Sequence, residues 1–374
     1  MDFDLTTEQN LLRDNLRSLL LRNYRFEDRA AAIRSASGWR PEIWRQFSKL
    51  GLLGAALPER IGGSGGGAVE TMIIMEEFGR ALVIEPFMES MVCVAGLLAR
   101  VGSELADRLA AEIIAGESLA AFAWSEPSSR YGFSRVATTA TPAKGGWYLN
   151  GVKSMVVGAP WASVLLVSAT IKGSGPALFI VDKQVDGLRT FDYPTIDGRY
   201  AADLHLDNVF LAGRGLIADA ELALPLMERL GDDAVAAQSS EAVGLLRRMH
   251  QDTTDYTRQR SQFGQTLSSF QVIQHRLVDM YLQIEIAESA SHLATLSLED
   301  ADTARAMAVS AAKFSTAGAC RFVGQNAVQL HGGIGMTEEL PLGSYFKRAT
   351  VIESEFGSID YHLARHARLE RTLA

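Results

Sequence analysis

The hydrophobic pattern divides the chain into three stretches. Up to about residue 116, apolar positions recur three or four apart, as on one face of a helix. Leu5, Leu11, Leu12 and Leu16 begin the pattern, with Thr6 or Thr7 placed to cap it. Residues 40–54 predict a second helix, with Pro41 near its start and Gly51 near its end. Further helices are expected over about 68–84 and 86–116. Between them, Leu57 to Gly67 is rich in glycine but lacks the Gly-Lys-Ser/Thr ending of a phosphate-binding loop, so a plain turn-forming loop is the preferred reading.

From about 119 to 215 the period changes to two. Val164–Val167 and Leu178–Val181 are short buried-strand runs, and Ala202 to Asp207 alternates strictly. Trp147-Tyr148-Leu149 before Asn150-Gly151 reads as a hairpin. Helical periodicity then returns over 223–258, 268–298, 302–331 and 342–371, the third stretch stopping at Gly332-Gly333. The strands sit between helical regions instead of alternating with them, which argues against a doubly wound parallel sheet. The expected fold is mainly α with a central β domain. Its parts are a helical domain over 1–117, a β domain over 118–218 and a four-helix bundle over 219–374.

Charge narrows the function. Thirty-six basic against 44 acidic side chains give a net charge of −8, a surface that disfavours nucleic acid as a partner. No apolar run reaches the length of a membrane span. The start, Met1-Asp2-Phe3-Asp4-Leu5, is acidic where a secretory signal would be basic, so a cytoplasmic setting is expected. Cys93 and Cys320 make neither a disulfide framework nor a zinc site. His362 and His366, four apart, read as a solvated helix face and not as a metal pair, because a metal needs three or four ligands. Asp232 and Asp233 read as a helix N-terminal cap.

Two stretches carry chemistry. Tyr256-Thr-Arg258-Gln-Arg260-Ser-Gln262-Phe263-Gly264 leads into Phe270-Gln271 and Asp279-Met280, and Gln329-Leu-His331-Gly332-Gly333 leads into Gly335-Met336-Thr337-Glu338. Arg260 offers a planar donor fork suited to a pyrophosphate, and Phe263 a flat apolar face for a ring. Gly332 and Gly333 permit close backbone approach by a ligand, and Gln329 can donate to it or accept from it. Pro58 to Gly63, Trp124-Ser125-Glu126-Pro127 and Asn150-Gly151-Val152-Lys153 complete a series that, in this order, resembles the acyl-CoA dehydrogenase family over essentially the whole chain. The wording is most similar to a branch typified by the small subunit of pimeloyl-CoA dehydrogenase.

The resemblance implies a middle β-barrel domain and noncovalent FAD. It implies α,β-desaturation of an acyl-CoA thioester, with electrons passed to an electron-transferring flavoprotein, in a homotetramer or an α2β2 heterotetramer. Arg260, Gln262, Phe263, Gln329, Gly332 and Gly333 match the family's FAD-binding stretches. Phe122, Trp124 and Ser125 match the part of the β domain that lines the flavin.

The resemblance fails at the base, the carboxylate that takes the α-proton in a water-poor pocket. Where most members place a glutamate before a glycine in the last helical segment, this chain has Phe356; where a smaller branch places it, this chain has Ala234. Glu241, nearly two turns beyond Ala234 on the same helix face among small apolar neighbours, is the expected base. Glu355 is one residue out of register and on a helix would point about 100° away. Asp360 reads as a flavin contact or a surface group. Ser128 to Gly132 replaces the family's Gly-Ala-Gly-Ser-Asp, and Met155 and Val157 replace its aromatic and threonine. Two readings follow: a catalytic chain using Glu241, or a non-catalytic subunit that completes the FAD site of a related partner.

Overall fold

The computed structural model describes residues 4–373. In chain order the elements are helices α1 (Thr7–Asn23), α2 (Phe26–Arg34), α3 (Pro41–Lys49) and α4 (Ala68–Ala81). A π-helical stretch, Met88–Ala95, then runs into α5 (Gly96–Val101), followed by α6 (Glu104–Ile114). Strands follow: β1 (Ala120–Ala123), β2 (Thr139–Ala143), β3 (Gly146–Val157), β4 (Val164–Ile171), β5 (Gly175–Asp182), β6 (Leu188–Pro194), β7 (Tyr200–Ala212) and β8 (Leu216–Ala218). Then come α7 (Ala220–Gln259), a small hairpin of β9 (Ser261–Gln262) and β10 (Gln265–Thr266), α8 (Gln271–Leu296), α9 (Asp302–His331), α10 (Leu342–Ile352) and α11 (Ile359–Leu373). None of the described helices is long and apolar enough to cross a membrane.

Two compact units divide the chain: Met1–Ala31 with Ala68–Val83 and Val235–Ala374, and Ala32–Gly67 with Ile84–Ala234. The second unit holds one mixed sheet in the order β6-β7-β3-β2-β4-β5-β8, with β1 parallel to β4. Period-two burial builds it: along β7, Ala202, Leu204 and Leu206 face the core while Asp203, His205 and Asp207 face away. Asn150-Gly151 is not the hairpin. The turn falls at Lys144-Gly145, and Asn150-Gly151 lies inside β3, at an irregularity in its pairing with β7. A Cβ at Gly151 would press into Thr138, so close backbone contact and not turn formation demands this glycine. The glycine-rich loop spends its amides on itself, with the Gly63 N–H donating to the Pro58 carbonyl, Ser64 to Gly54 and Gly65 to Leu57, which leaves no phosphate cradle.

The first unit is helical. Thr6 caps α1 through a capping box with Gln9. The bundle core runs along one face each of α7, α8, α9 and α10, through Leu245, Leu246 and Met249, Met280 and Ile284, Val323, and Tyr345 and Ile352. Burying each such side chain contributes roughly 1.5–3 kcal/mol. Cys93 and Cys320 are buried, and neither is in a disulfide among the described residues. The stretch expected as one helix over 342–371 is two, α10 and α11. Between them Phe356 takes φ +58° and Gly357 +127°, backbone that cannot continue a helix. The expected cap at Asp232 and Asp233 is also displaced. Both lie inside α7, and the residue accepting its first-turn amides is Asp219, bonded to the N–H groups of Glu221 and Leu222.

Candidate active and cofactor sites

Glu241 lies on α7 where α4 crosses at backbone contact. A Cβ on Gly79 would collide with the Glu241 carbonyl, and one on Gly244 with that of Glu76. Glu241 is 3% exposed. Its two oxygens take the Nε–H and an Nη2–H of Arg348 from α10, each at 2.7 Å. Arg348, equally buried, donates through Nη1 to Glu355 Oε2 at 3.1 Å. Gln238, one turn before Glu241, donates to the same Glu355 oxygen at 2.5 Å. Lys313 from α9 is fully buried and donates to Gln238 Oε1 and to the carbonyl of Ile352, the last residue of α10. Burial pushes the Lys313 ammonium down to about 8, with Glu355 opposing the shift. Two acids and two bases thus answer one another inside the bundle. Arginine in a bidentate grip holds a carboxylate in its ionised form and occupies the lone pairs a base would use.

Glu355 is not on a helix. It falls in the turn between α10 and α11, so the 100° helical offset does not apply, and its carboxylate reaches back to α7. Phe356, at the position where the resemblance puts a glutamate, packs on the apolar cluster of Val235, Ala236, Ala294, Leu298, Val309 and Ala312. His362 is core and not solvated helix face. It is 1% exposed, its Nε2 sits 3.1 Å from the Phe356 carbonyl, and burial lowers its pKa to about 4. A Cβ on Gly357 would collide with its ring. His366 is half-buried and Asp360 exposed. No cluster of three or more potential ligands for a metal occurs among the described residues.

The two cofactor motifs meet within the helical unit. Tyr256, near the end of α7, stacks on His331 at the end of α9, with centroids 4.3 Å apart and planes at 22°, and its hydroxyl donates to the His331 carbonyl at 3.3 Å. Beyond α7 the β9–β10 hairpin turns at Phe263 and Gly264, φ +54° and +84°, the pair of positive values of a type I′ turn. Phe263 is thereby presented 89% exposed. Arg260 is anchored by its backbone, its N–H to Tyr256 and its carbonyl to the Leu267 N–H, each 2.9 Å. Among the described residues nothing hydrogen-bonds or pairs with its guanidinium. Gln262 and Gln329 are exposed. A Cβ added at Gly264, Gly332 or Gly333 would meet nothing within 4 Å. Positive φ already calls for glycine at Gly264 and Gly332, whereas neither packing nor a positive φ accounts for Gly333; the exposed cation, exposed ring and open backbone fit a dinucleotide.

The β unit gives a different answer. Phe122 lies in β1 at 7% exposure, and Trp124 and Ser125 follow half-buried. The Phe133 ring lies against both aromatics, edge-on to Trp124 at 4.9 Å and 6.4 Å from Phe122. Gly231 on α7 makes the room, since a Cβ there would approach the Phe133 ring to 2.8 Å. Met155 bulges outward at φ +54°, its N–H donating to Asp203. The Trp124–Pro127 and Asn150–Lys153 stretches prove to be one device. Lys153, with no exposed surface, donates to Glu126 at 2.7 Å and to Ser168 at 3.0 Å. Glu126 also accepts the Ala137 and Thr138 N–H groups and the Thr138 hydroxyl. Burial lowers the Lys153 pKa to about 8 against the pull of Glu126. Burial alone would raise that of Glu126, but Lys153 and Thr138 outweigh it and hold it low.

Family models match this chain nearly end to end: the acyl-CoA dehydrogenase N-terminal domain over residues 6–117, the middle domain over 121–209 and the C-terminal domain over 227–369. The chain belongs to the acyl-CoA dehydrogenase family, FAD-dependent oxidoreductases acting on CH–CH bonds. It is 28% identical to acyl-CoA dehydrogenase FadE27 of Mycobacterium tuberculosis, over 87% of each chain. Among solved structures it is similar to a chain of the ChsE4-ChsE5 complex of the same organism, with 26% identity and a TM-score of 0.89, over 100% of this chain and 99% of that one. It is also similar to a chain of a variant of the Tcur3481-Tcur3483 steroid ACAD, with 30% identity and a TM-score of 0.89, over 98% of this chain and 99% of that one.

Proposed function

We propose that this chain is one subunit of a two-component acyl-CoA dehydrogenase, an α2β2 assembly with a related chain, in which it helps hold FAD and the partner supplies the base. The observation that carries this is the bidentate Arg348 grip on Glu241, with Phe356 turned onto the apolar cluster. Neither leaves a carboxylate ready to take an α-proton. Bound FAD would supply a hydride acceptor for the β-hydrogen, and an electron-transferring flavoprotein would take the electrons onward. Arg260 would hold the pyrophosphate, Phe263 would cover a ring, Gln262 and Gln329 would supply donors and acceptors, and Gly332 and Gly333 would admit the cofactor to the backbone. Phe122, Trp124 and Ser125, closed over by Phe133, leave the β unit poorly open to a flavin of its own. Two of the similar structures are named as pairs of proteins, and one is called a steroid ACAD, so a bulky acyl thioester is the substrate class we favour.

The competing reading keeps Glu241 as base and requires Arg348 to release it. Its burial among Ser240, Ala242 and Val243 favours it, since a water-poor site suits a base. The test is expression of the chain alone and with a candidate partner subunit, reading flavin absorbance and acyl-CoA-dependent dye reduction. The expected result is turnover only in the co-expressed assembly, and turnover that survives replacing the whole ion pair (E241L with R348M) in this chain. Turnover by the lone chain with bound flavin, abolished by that replacement, would instead establish Glu241 as base.

A further inference from the structure

The helical unit holds a cavity of about 500 Å3 formed by α1, α4, α7 and α8, lined by no residue of the Glu241 cluster or of the cofactor motifs. That volume is in the range of small-molecule sites. Four arginines line it: Arg13 and Arg17 from α1, Arg80 from α4 and Arg247 from α7. Their side chains keep 31–40% of their surface exposed. The carboxylates answering two of them lie behind or beside. Glu77, 2% exposed, takes Arg17 Nε and Nη2 at 3.1 and 2.5 Å, and Glu288 takes Arg247 Nη2. Arg80 comes only to 3.9 Å from Glu77, and its guanidinium donates to no acceptor among the described residues. Arg13 bonds Asn10 through Nη2, and its Nε makes no hydrogen bond, the Asp14 carboxylate lying 3.6 Å off as an ion-pair neighbour.

The lining acids, Asp4, Glu76, Glu77 and Glu288, balance the four arginines formally. The attraction is therefore local and directional: guanidinium forks face the space while Glu77 is covered. Burial also raises the proton affinity of Glu76. Val69, Met72, Ile73 and Leu296 make the remaining wall apolar. A guanidinium fork matches a carboxylate in two parallel hydrogen bonds.

We propose that this cavity binds a small amphiphilic carboxylate, its head held by Arg80 and Arg13 and its hydrocarbon body against Met72, Ile73 and Leu296. The experiment is titration calorimetry of the full chain with octanoate, and in parallel with octanol and inorganic phosphate. Saturable octanoate binding is expected, at least ten-fold weaker in R80Q and weakened in R13Q. R13Q changes a half-open side chain and guards against a folding defect in R80Q, with a thermal melt checking both. Absence of saturable binding, unchanged affinity in both variants, or octanol binding as tightly as octanoate overturns the proposal. Phosphate binding as tightly as octanoate also overturns it, reducing the site to a general oxyanion seat. These readouts need neither FAD nor turnover, so they stand or fall separately from the assembly proposed above.

Discussion

Two polar regions of the helical unit differ in one respect. Around Glu241 every charge has an internal answer: Arg348 serves Glu241 and Glu355, and Lys313 serves Gln238 and the α10 terminus. At the paired ends of α7 and α9, Arg260 has no internal partner among the described residues and Phe263 stands 89% exposed. Burial cost separates the two. A charge inside the bundle persists only when paired, whereas an exposed charge costs the fold little and stays available to a ligand. By that contrast we propose that the Glu241 cluster is framework and the Arg260 end is binding surface, where sequence reasoning placed both among the functional residues.

The largest effect expected is on the framework side. R348M leaves Glu241 buried without its partner and should cost about 3–5 kcal/mol of unfolding free energy. E241L with R348M removes both charges and should recover most of that loss in urea denaturation. A single-variant loss under about 1 kcal/mol would make the cluster dispensable and break the contrast. A somewhat smaller effect concerns His362, which braces the turn carrying Glu355. Its pKa is lowered to about 4 in the folded chain against 6.5 unfolded. Its contribution is complete above pH 6.5 and is lost as pH falls toward 4, up to about 3 kcal/mol from the size of the shift. The stability slope between pH 6.5 and 5 should therefore flatten in H362Q, and an unchanged slope would show the imidazole to be accessible to protons when folded. The smallest stability effect belongs to the binding surface. R260Q should leave unfolding within about 0.5 kcal/mol of the unaltered chain. It should weaken FAD binding by about 1.5–3 kcal/mol, roughly 10–150-fold, in fluorescence titration of the assembly. A large stability loss in R260Q would move Arg260 to the framework.

Much of this was legible locally. The cap at Thr6, the end of α9 at Gly332, and the alternation along β7 are each set by neighbours within a few residues, where periodicity and capping chemistry act. The order of helical, β and helical stretches follows from the same signals. Reading was less secure where one residue type serves two geometries. Asn-Gly is the standard hairpin signal, yet here Gly151 is required by the close approach of Thr138. His362 and His366 show a helical interval that says nothing about which neighbour covers them.

The charges were the part that sequence could not arrange. Nothing near Glu241 announces Arg348, 107 positions away, and nothing in two separate signatures announces that Glu126 and Lys153 form one buried bond. Composition and periodicity determined that this chain is helical with a central sheet, and the run of motifs marked its family. Only tertiary structure decided which carboxylates are spent on holding the fold and which cation is left over, because pairing depends on distances in space and on exclusion of water, and neither is written in the spacing of residues along the chain.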